Sequence, residues 1–187
     1  APGMHMVYNA LAAISVGYLM GVKPAKMQQA LAMFRNAGMR QEIIKRDGYT
    51  VIADCYNAGP ESMEAALQVL ADTPTQGRRI AVLGDMLELG VCSPAEHYRI
   101  GRLAAQTANA LFAYGKMAGR YISGAVTGGM NQKRVTTYKT HEELADALKR
   151  FAKPGGALEG IRRAGGPCGA VMRRDKQIAL RHAPGQR

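Results

Sequence analysis

No stretch of this chain stays apolar for the roughly 18 residues that a bilayer-spanning helix needs, so a helical membrane anchor is not expected. Cysteine is scarce. Cys55, Cys92 and Cys168 are odd in number and widely spaced, which argues against a disulfide framework and fits a reducing, cytoplasmic compartment. No Cys/His set has the spacing of a zinc site. Three signatures of chemistry are also missing. Without a Gly-x-x-x-x-Gly-Lys-[Ser/Thr] loop the chain has no triphosphate cradle of its own. Without a Gly-x-Gly-x-x-Gly after any strand, a dinucleotide enzyme is not expected. No Ser/His/Asp set sits on a nucleophile elbow. The opening Ala1-Pro2-Gly3-Met4-His5 is neither basic nor apolar as a secretory leader would be. It also lacks an initiator methionine, so a piece of a longer protein is expected.

What is present suffices for one good core, or for one domain plus a fragment of another: 187 residues, 47% of them hydrophobic. The net charge of +11 invites a nucleic-acid reading. Its distribution argues against one. Lys153, Arg162, Arg163, Arg173, Arg174, Lys176, Arg181 and Arg187, set against Glu159 and Asp175, place much of the excess in the last 37 residues. The rest is spread thinly, with no basic helix and no aromatic stacking motif.

Residues 4–20 read as a helix, because Val7, Leu11, Ile14 and Tyr18 follow the 3.6-residue period. Pro24 opens a second helix, with Met27, Ala30, Leu31 and Phe34 expected to point inward and Gly38 as its stop. Gln41–Arg46 and Tyr49–Tyr56 read as strands joined by an Asp47-Gly48 hairpin turn. The chain then alternates: a helix from Pro60, a strand at Arg79–Leu83, and a helix from the apparent capping box Ser93-Pro94-Ala95-Glu96. A strand at Ala110–Tyr114, a helix at Lys116–Ala125 and a strand at Arg134–Tyr138 follow. A second capping box, Thr140-His141-Glu142-Glu143, opens a helix carrying Leu144, Leu148 and Phe151. This order predicts an α/β fold: a Rossmann-like, mostly parallel sheet over 37–155 with helices on both faces and an antiparallel edge strand. Residues 1–36 are two preceding helices. Residues 156–187 show no period and read as an irregular basic tail, disordered or out of frame. A one-base shift over Ala157–Ala164 is permitted by the code to read Trp-Lys-Ala-Ser and then Gly.

Four constellations carry candidate chemistry. His5 and Asn9, four apart, share one helix face; the alternative is a solvated helix start. Arg40 enters the first strand and its guanidinium suits phosphate; the alternative is a surface arginine. The apolar strand ending in Asp54 leads through Asn57 to a helix at Pro60, and ligands collect at the carboxyl ends of strands in open α/β sheets. There a carboxylate accepts from ribose hydroxyls, unless Asp54 or Asn57 merely caps the helix. The fourth is Val82-Leu83-Gly84-Asp85-Met86-Leu87-Glu88-Leu89-Gly90, an acidic loop that would share a rim with Asp54; the alternative is a turn with solvated acids. His97, soon after, is either substrate-side or a surface or packing histidine.

Read in order, Gly3-x-His5-x-x-x-Asn9-Ala10, Arg40-Gln41-Glu42 and Asp54 resemble the pattern of the Mur ligase family over residues 1 to about 155. Asp54-Cys55-Tyr56-Asn57-Ala58-Gly59-Pro60-Glu61-Ser62-Met63 and Val82–Gly90, followed by His97 and Ile100-Gly101, are similar to its D-alanyl-D-alanine-adding members. The resemblance implies an ATP-dependent ligase acting on UDP-N-acetylmuramoyl-tripeptide and D-alanyl-D-alanine through an acyl phosphate. It implies that residues 1–36 end a central ATPase domain holding ATP and Mg2+, and that the Rossmann-like domain closes over that ATP. Asn9, Arg40 and Asp54 would contact ATP, and Asn57, Asp85, Glu88 and His97 are substrate-side candidates. No residue of the chain is assigned as catalytic or as a metal ligand, and the family is expected to be monomeric. Met6 stands where the family usually has asparagine, and Gly59 where the D-alanyl-D-alanine-adding members often have another. The family's last strand is expected to be missing.

Overall fold

Pro24, Pro60 and Pro94 each lie in the first turn of a helix, where a missing N–H leaves no intrahelical bond unmade. The computed structural model describes residues 3–35, 41–46, 49–54, 57–151 and 157–161. Two helices come first, α1 (Met4–Leu19) and α2 (Pro24–Met33). The hairpin β1 (Glu42–Arg46) and β2 (Tyr49–Asp54) follows. Then come α3 (Pro60–Asp72), β3 (Arg79–Leu83), α4 (Ser93–Thr107), β4 (Ala110–Tyr114) and α5 (Ala118–Thr127). The series ends with β5 (Val135–Tyr138), α6 (His141–Phe151) and β6 (Ala157–Ile161).

The six strands lie in the order β1-β2-β6-β3-β4-β5, with β1 antiparallel to β2 and the other neighbours parallel. Right-handed crossovers decide which face each helix covers. The steps β2→β3→β4→β5 all run one way across the sheet, so α3, α4 and α5 share a face. The return from β5 to β6 runs the other way and puts α6 opposite. Strand alternation feeds both layers. Ala81 and Leu83 join Met63, Leu67, Ile100, Leu111 and Tyr121 in one core cluster, while Ile80 and Val82 join Val51, Phe112, Leu144 and Leu148 in the other. Phe112 is clasped edge-on by Tyr138 at 5.5 Å and Phe151 at 5.2 Å between ring centroids. The Thr140 box is realised: Glu143 N–H donates to Thr140 Oγ1 at 3.2 Å, and the Glu143 carboxylate accepts from Thr140 N–H at 3.4 Å.

Four expectations are corrected. First, residues 157–161 form an interior strand hydrogen-bonded to β2 on one side and β3 on the other, so the last strand is present and the irregular tail does not begin at 156. Residues 162–187 lie outside the described residues. Second, the positions of the second helix expected to point inward are not in a core: Leu31 is 36% and Phe34 52% exposed, and α2 buries no residue. Met27 is half-buried beside Gly17 of α1, while Ala30, Leu31 and Phe34 are exposed. Third, Ser93 does not cap α4. A 3-10 turn, Gly90–Cys92, runs into the helix, the N-cap is Cys92, and Ser93 is already helical. Fourth, α5 begins at Ala118 rather than Lys116, because the N–H groups of Lys116 and Met117 are held in the preceding turn by Asp85. The Asp47-Gly48 turn, Cys55 and Tyr56 lie outside the described residues.

Candidate functional site

Asp54 ends β2 and Leu83 ends β3, and both are in register with Ile161 of β6 between them. With strands about 4.8 Å apart, Asp54 and the loop that leaves Leu83 emerge on one rim roughly 10 Å from each other. This is the carboxyl edge of the parallel strands, where open α/β sheets take ligands. The proposed shared rim of Asp54 and Asp85 is therefore real. Asp54 is half-buried and Asn57 is exposed. The N-cap of α3 is Gly59, whose N–H donates to Ser62 Oγ at 3.0 Å, so neither Asp54 nor Asn57 occupies the capping position.

The loop after β3 is gripped from three sides. Asp85 accepts from Lys116 N–H at 2.8 Å and Met117 N–H at 3.0 Å, tying the loop to the β4–α5 turn. Gly115 lets that turn close: its φ of +118 and the carboxylate against it leave no room for a side chain. The Tyr121 hydroxyl donates to the Gly84 carbonyl at 2.8 Å, with Met63 Sδ at 3.4 Å. Burial, with a smaller contribution from the Asp85 charge, pushes the Tyr121 hydroxyl far above the ordinary phenol range. His97 Nε2 accepts from Met86 N–H at 3.0 Å, and its Nδ1 lies 2.6 Å from the Ser93 carbonyl. Asp85→Ala leaves two turn N–H groups without their charged acceptor. A loss of about 2 kcal/mol is expected, read as a lower urea midpoint at unchanged m, whereas an unshifted midpoint would show that the turn holds itself.

His97 is fully buried and both ring nitrogens are engaged within the fold. Its substrate-side candidacy is corrected to a packing role: nothing outside the protein reaches the ring. Glu88 is exposed at the loop tip with φ +67, and Leu87 beside it is exposed too. Asn9 is exposed on α1, its Nδ2 donating weakly to Met6 Sδ at 3.9 Å. It lies one helical turn from His5, whose Nε2 is 3.1 Å from Gln41 Oε1. Gln41 leads into β1 with φ +49 and a buried side chain. Arg40 lies outside the described residues. The roles of Gln41 and Tyr121 went unread in the sequence. Tyr121 sits on an amphipathic helix period, which marks a core residue, whereas a glutamine before a strand carries no comparable signal.

The family pattern described as "Mur ligase, glutamate ligase domain" matches residues 39–158. The chain belongs to the Mur ligase family. It comprises a Mur ligase carboxy-terminal domain. Among curated relatives, the UDP-N-acetylmuramoyl-tripeptide--D-alanyl-D-alanine ligase of Bacillus subtilis is 37% identical over 155 residues, covering 82% of this chain and 34% of its own length. Among solved structures, MurF from Acinetobacter baumannii superposes with a TM-score of 0.78 at 27% identity, over 92% of this chain and 37% of that one. The MurF ligase of Thermotoga maritima, solved in complex with ADP, shares the fold at TM-score 0.78 and 20% identity, over 96% of this chain and 40% of that one. The chain thus spans about a third of the length of the curated relatives it matches. Among the described residues, no helix is long and apolar enough to cross a membrane.

Proposed function

We propose that this chain is the ATP-closing carboxy-terminal part of a cytoplasmic ligase that adds D-alanyl-D-alanine to UDP-N-acetylmuramoyl-tripeptide in peptidoglycan precursor synthesis. On this reading the chain has no turnover alone. The observation that carries the reading is the carboxyl rim, where the half-buried carboxylate of Asp54 and the gripped loop after β3 stand side by side in a chain of Mur ligase descent. ATP fits the rim on the side of Asp54. On the family resemblance Asp54, a carboxylate at a strand end, would accept from ribose hydroxyls, Arg40 would offer its guanidinium to the phosphates, and Asn9 would contact the adenine side. These residues orient the nucleotide and stabilise charge; none of them forms a bond to it. ATP supplies the phosphoryl group that activates the tripeptide carboxylate for attack by the dipeptide amine. Mg2+ is assigned to the central domain of the whole ligase, as the family resemblance implies.

The bare apolar surfaces of α1 and α2 support the same reading, because helices that end a central ATPase domain would be covered by the rest of it. They also suit a second reading, a non-catalytic module that docks a P-loop partner in trans. One experiment serves both. The chain is mixed with a separately produced amino-terminal remainder of the Bacillus subtilis ligase. ADP release is then measured with and without D-alanyl-D-alanine and the UDP-muramyl-tripeptide. The ligase reading expects release that needs both substrates and falls at least tenfold, about 1.4 kcal/mol in barrier, with Asp54→Ala. ADP release indifferent to the dipeptide supports the module instead. No stimulation by a chain shown to be folded and bound to the remainder would sink both.

A further inference from the structure

The loop between β3 and α4 is held firmly from below and bare on top. Its anchors lie inside the fold. Met86 is buried with its N–H on His97, Gly84 is held by the Tyr121 hydroxyl, and Asp85 is held by the N–H groups of Lys116 and Met117. Leu89 packs on the core. The apolar residues that alternate with these anchors face water: Leu87 is 51% exposed, and Val91, in the 3-10 turn Gly90–Cys92, is 96% exposed. A free loop would turn such side chains inward; the grips prevent it. The backbone between them is left-handed, with φ +67 at Glu88 and +52 at Gly90. At a residue with a side chain, that conformation persists where the surroundings over-determine it.

Single exposed apolar residues are ordinary on protein surfaces. What sets this pair apart is its place. Both follow β3 at the carboxyl rim that carries Asp54, which stands roughly 10 Å along the edge. The chain has no Gly-x-x-x-x-Gly-Lys-[Ser/Thr] loop, so a nucleotide at this rim has its phosphates held by another surface. That surface must come within the length of one nucleotide of Asp54, and the tip of the loop is then in its path. We propose, on the ligase reading above, that Leu87 and Val91 form the docking tip of this domain, seated in an apolar patch of the nucleotide-holding domain when the rim closes over ATP. The match covers only 34% of the Bacillus subtilis ligase, so in that relative most of the chain is available to supply the patch. Seating the pair removes apolar area from water. Because the grips fix the tip beforehand, little conformational freedom is lost on contact.

Cys92, exposed beside Val91, reports the contact. The 187-residue chain is mixed with ATP and the amino-terminal remainder used above, and alkylation of Cys92 by iodoacetamide is read from its peptide. Each rate is compared with that of the same chain without the remainder. Docking should slow it by roughly tenfold or more. Leu87→Ser combined with Val91→Ser should weaken association by roughly tenfold or more and leave the urea midpoint where it was, because both side chains are exposed. Leu87→Met with Val91→Ile should dock like wild type. Association with Cys92 still reacting at its free rate would overturn the proposal, as would a serine pair that binds as tightly as wild type. So would protection that appears in the chain alone as its concentration rises, which would make the tip a contact between copies. Substrate-dependent ADP release by the wild-type chain decides the ligase reading separately. Release with an unprotected Cys92 keeps that reading and ends the docking tip; protection without release does the reverse. No association removes both.

Discussion

Replacing Gly101 or Gly124 by alanine is expected to lower the stability of this domain by about 3 kcal/mol, the upper part of the range for overpacking, and a double replacement should prevent folding. The two glycines face each other's helices reciprocally. A methyl group built on Gly101 of α4 runs into the backbone carbonyl of Tyr121 on α5, and one on Gly124 of α5 runs into that of Tyr98 on α4. Each obstacle is main chain, which cannot swing aside like the end of a flexible side chain. Relief requires the two helices to part, and Tyr121 lies on the segment that must move. Opening that contact would therefore also disturb the hydroxyl that holds Gly84. Gly119, near the start of α5, provides the comparison. Nothing lies within 4 Å of an added methyl there, so Gly119→Ala should raise stability by about 0.5–1 kcal/mol through helix propensity alone. Urea denaturation of the three variants separates the effects. Equal midpoints for Gly101→Ala and Gly119→Ala would mean that α4 and α5 do not meet at their backbones.

Tyr121→Phe should cost about 1–3 kcal/mol at neutral pH, because it leaves the buried Gly84 carbonyl without its donor. The same substitution should remove part of the protein's sensitivity to alkali. Burial first, and the Asp85 charge second, raise the Tyr121 hydroxyl well above the ordinary value of 10.0 that it regains on unfolding. A group whose folded value is raised contributes stability that is fully present below its unfolded value and is lost as pH rises beyond it. The window therefore opens near pH 10. Within it, each further pH unit removes up to about 1.4 kcal/mol through this one group. Tyr138, also raised mainly by its burial, adds in the same direction in wild type and variant alike. Urea midpoints from about pH 9 to about pH 11.5 should fall more steeply for wild type than for Tyr121→Phe. Parallel curves would show that the hydroxyl is not desolvated.

The site was legible to different depths. Asp54 could be read because an apolar run that ends in an acid, followed by a proline at a helix start, is a local pattern. The shared rim of Asp54 and Asp85 followed from parallel strands, since all their carboxyl ends must lie on one edge. His97 was not legible in this way. Its partners are a backbone N–H eleven residues back and, four residues back, the carbonyl and hydroxyl of Ser93, and no side-chain pattern announces a backbone donor.

By itself the sequence determined the elements. Period-2 and period-3.6 apolar spacing, the prolines at 24, 60 and 94, and the Thr140–Glu143 box place the helices and the first five strands through interactions a few residues apart. The alternation of strands and helices in the sequence also predicted helices on both faces, although which face each helix takes follows from the strand order through the handedness of the crossovers. Tertiary structure decided what depends on neighbours distant in the chain. Ala157-Leu158-Glu159-Gly160-Ile161 carries a glutamate and a glycine, both poor strand formers. It is a strand because β2 and β3 flank it with open hydrogen-bonding edges on both sides, and unpaired backbone there would be costly. The period of α2 was right but the expected burial of Ala30, Leu31 and Phe34 was not, because period fixes which side of a helix is apolar and only a facing element can cover it.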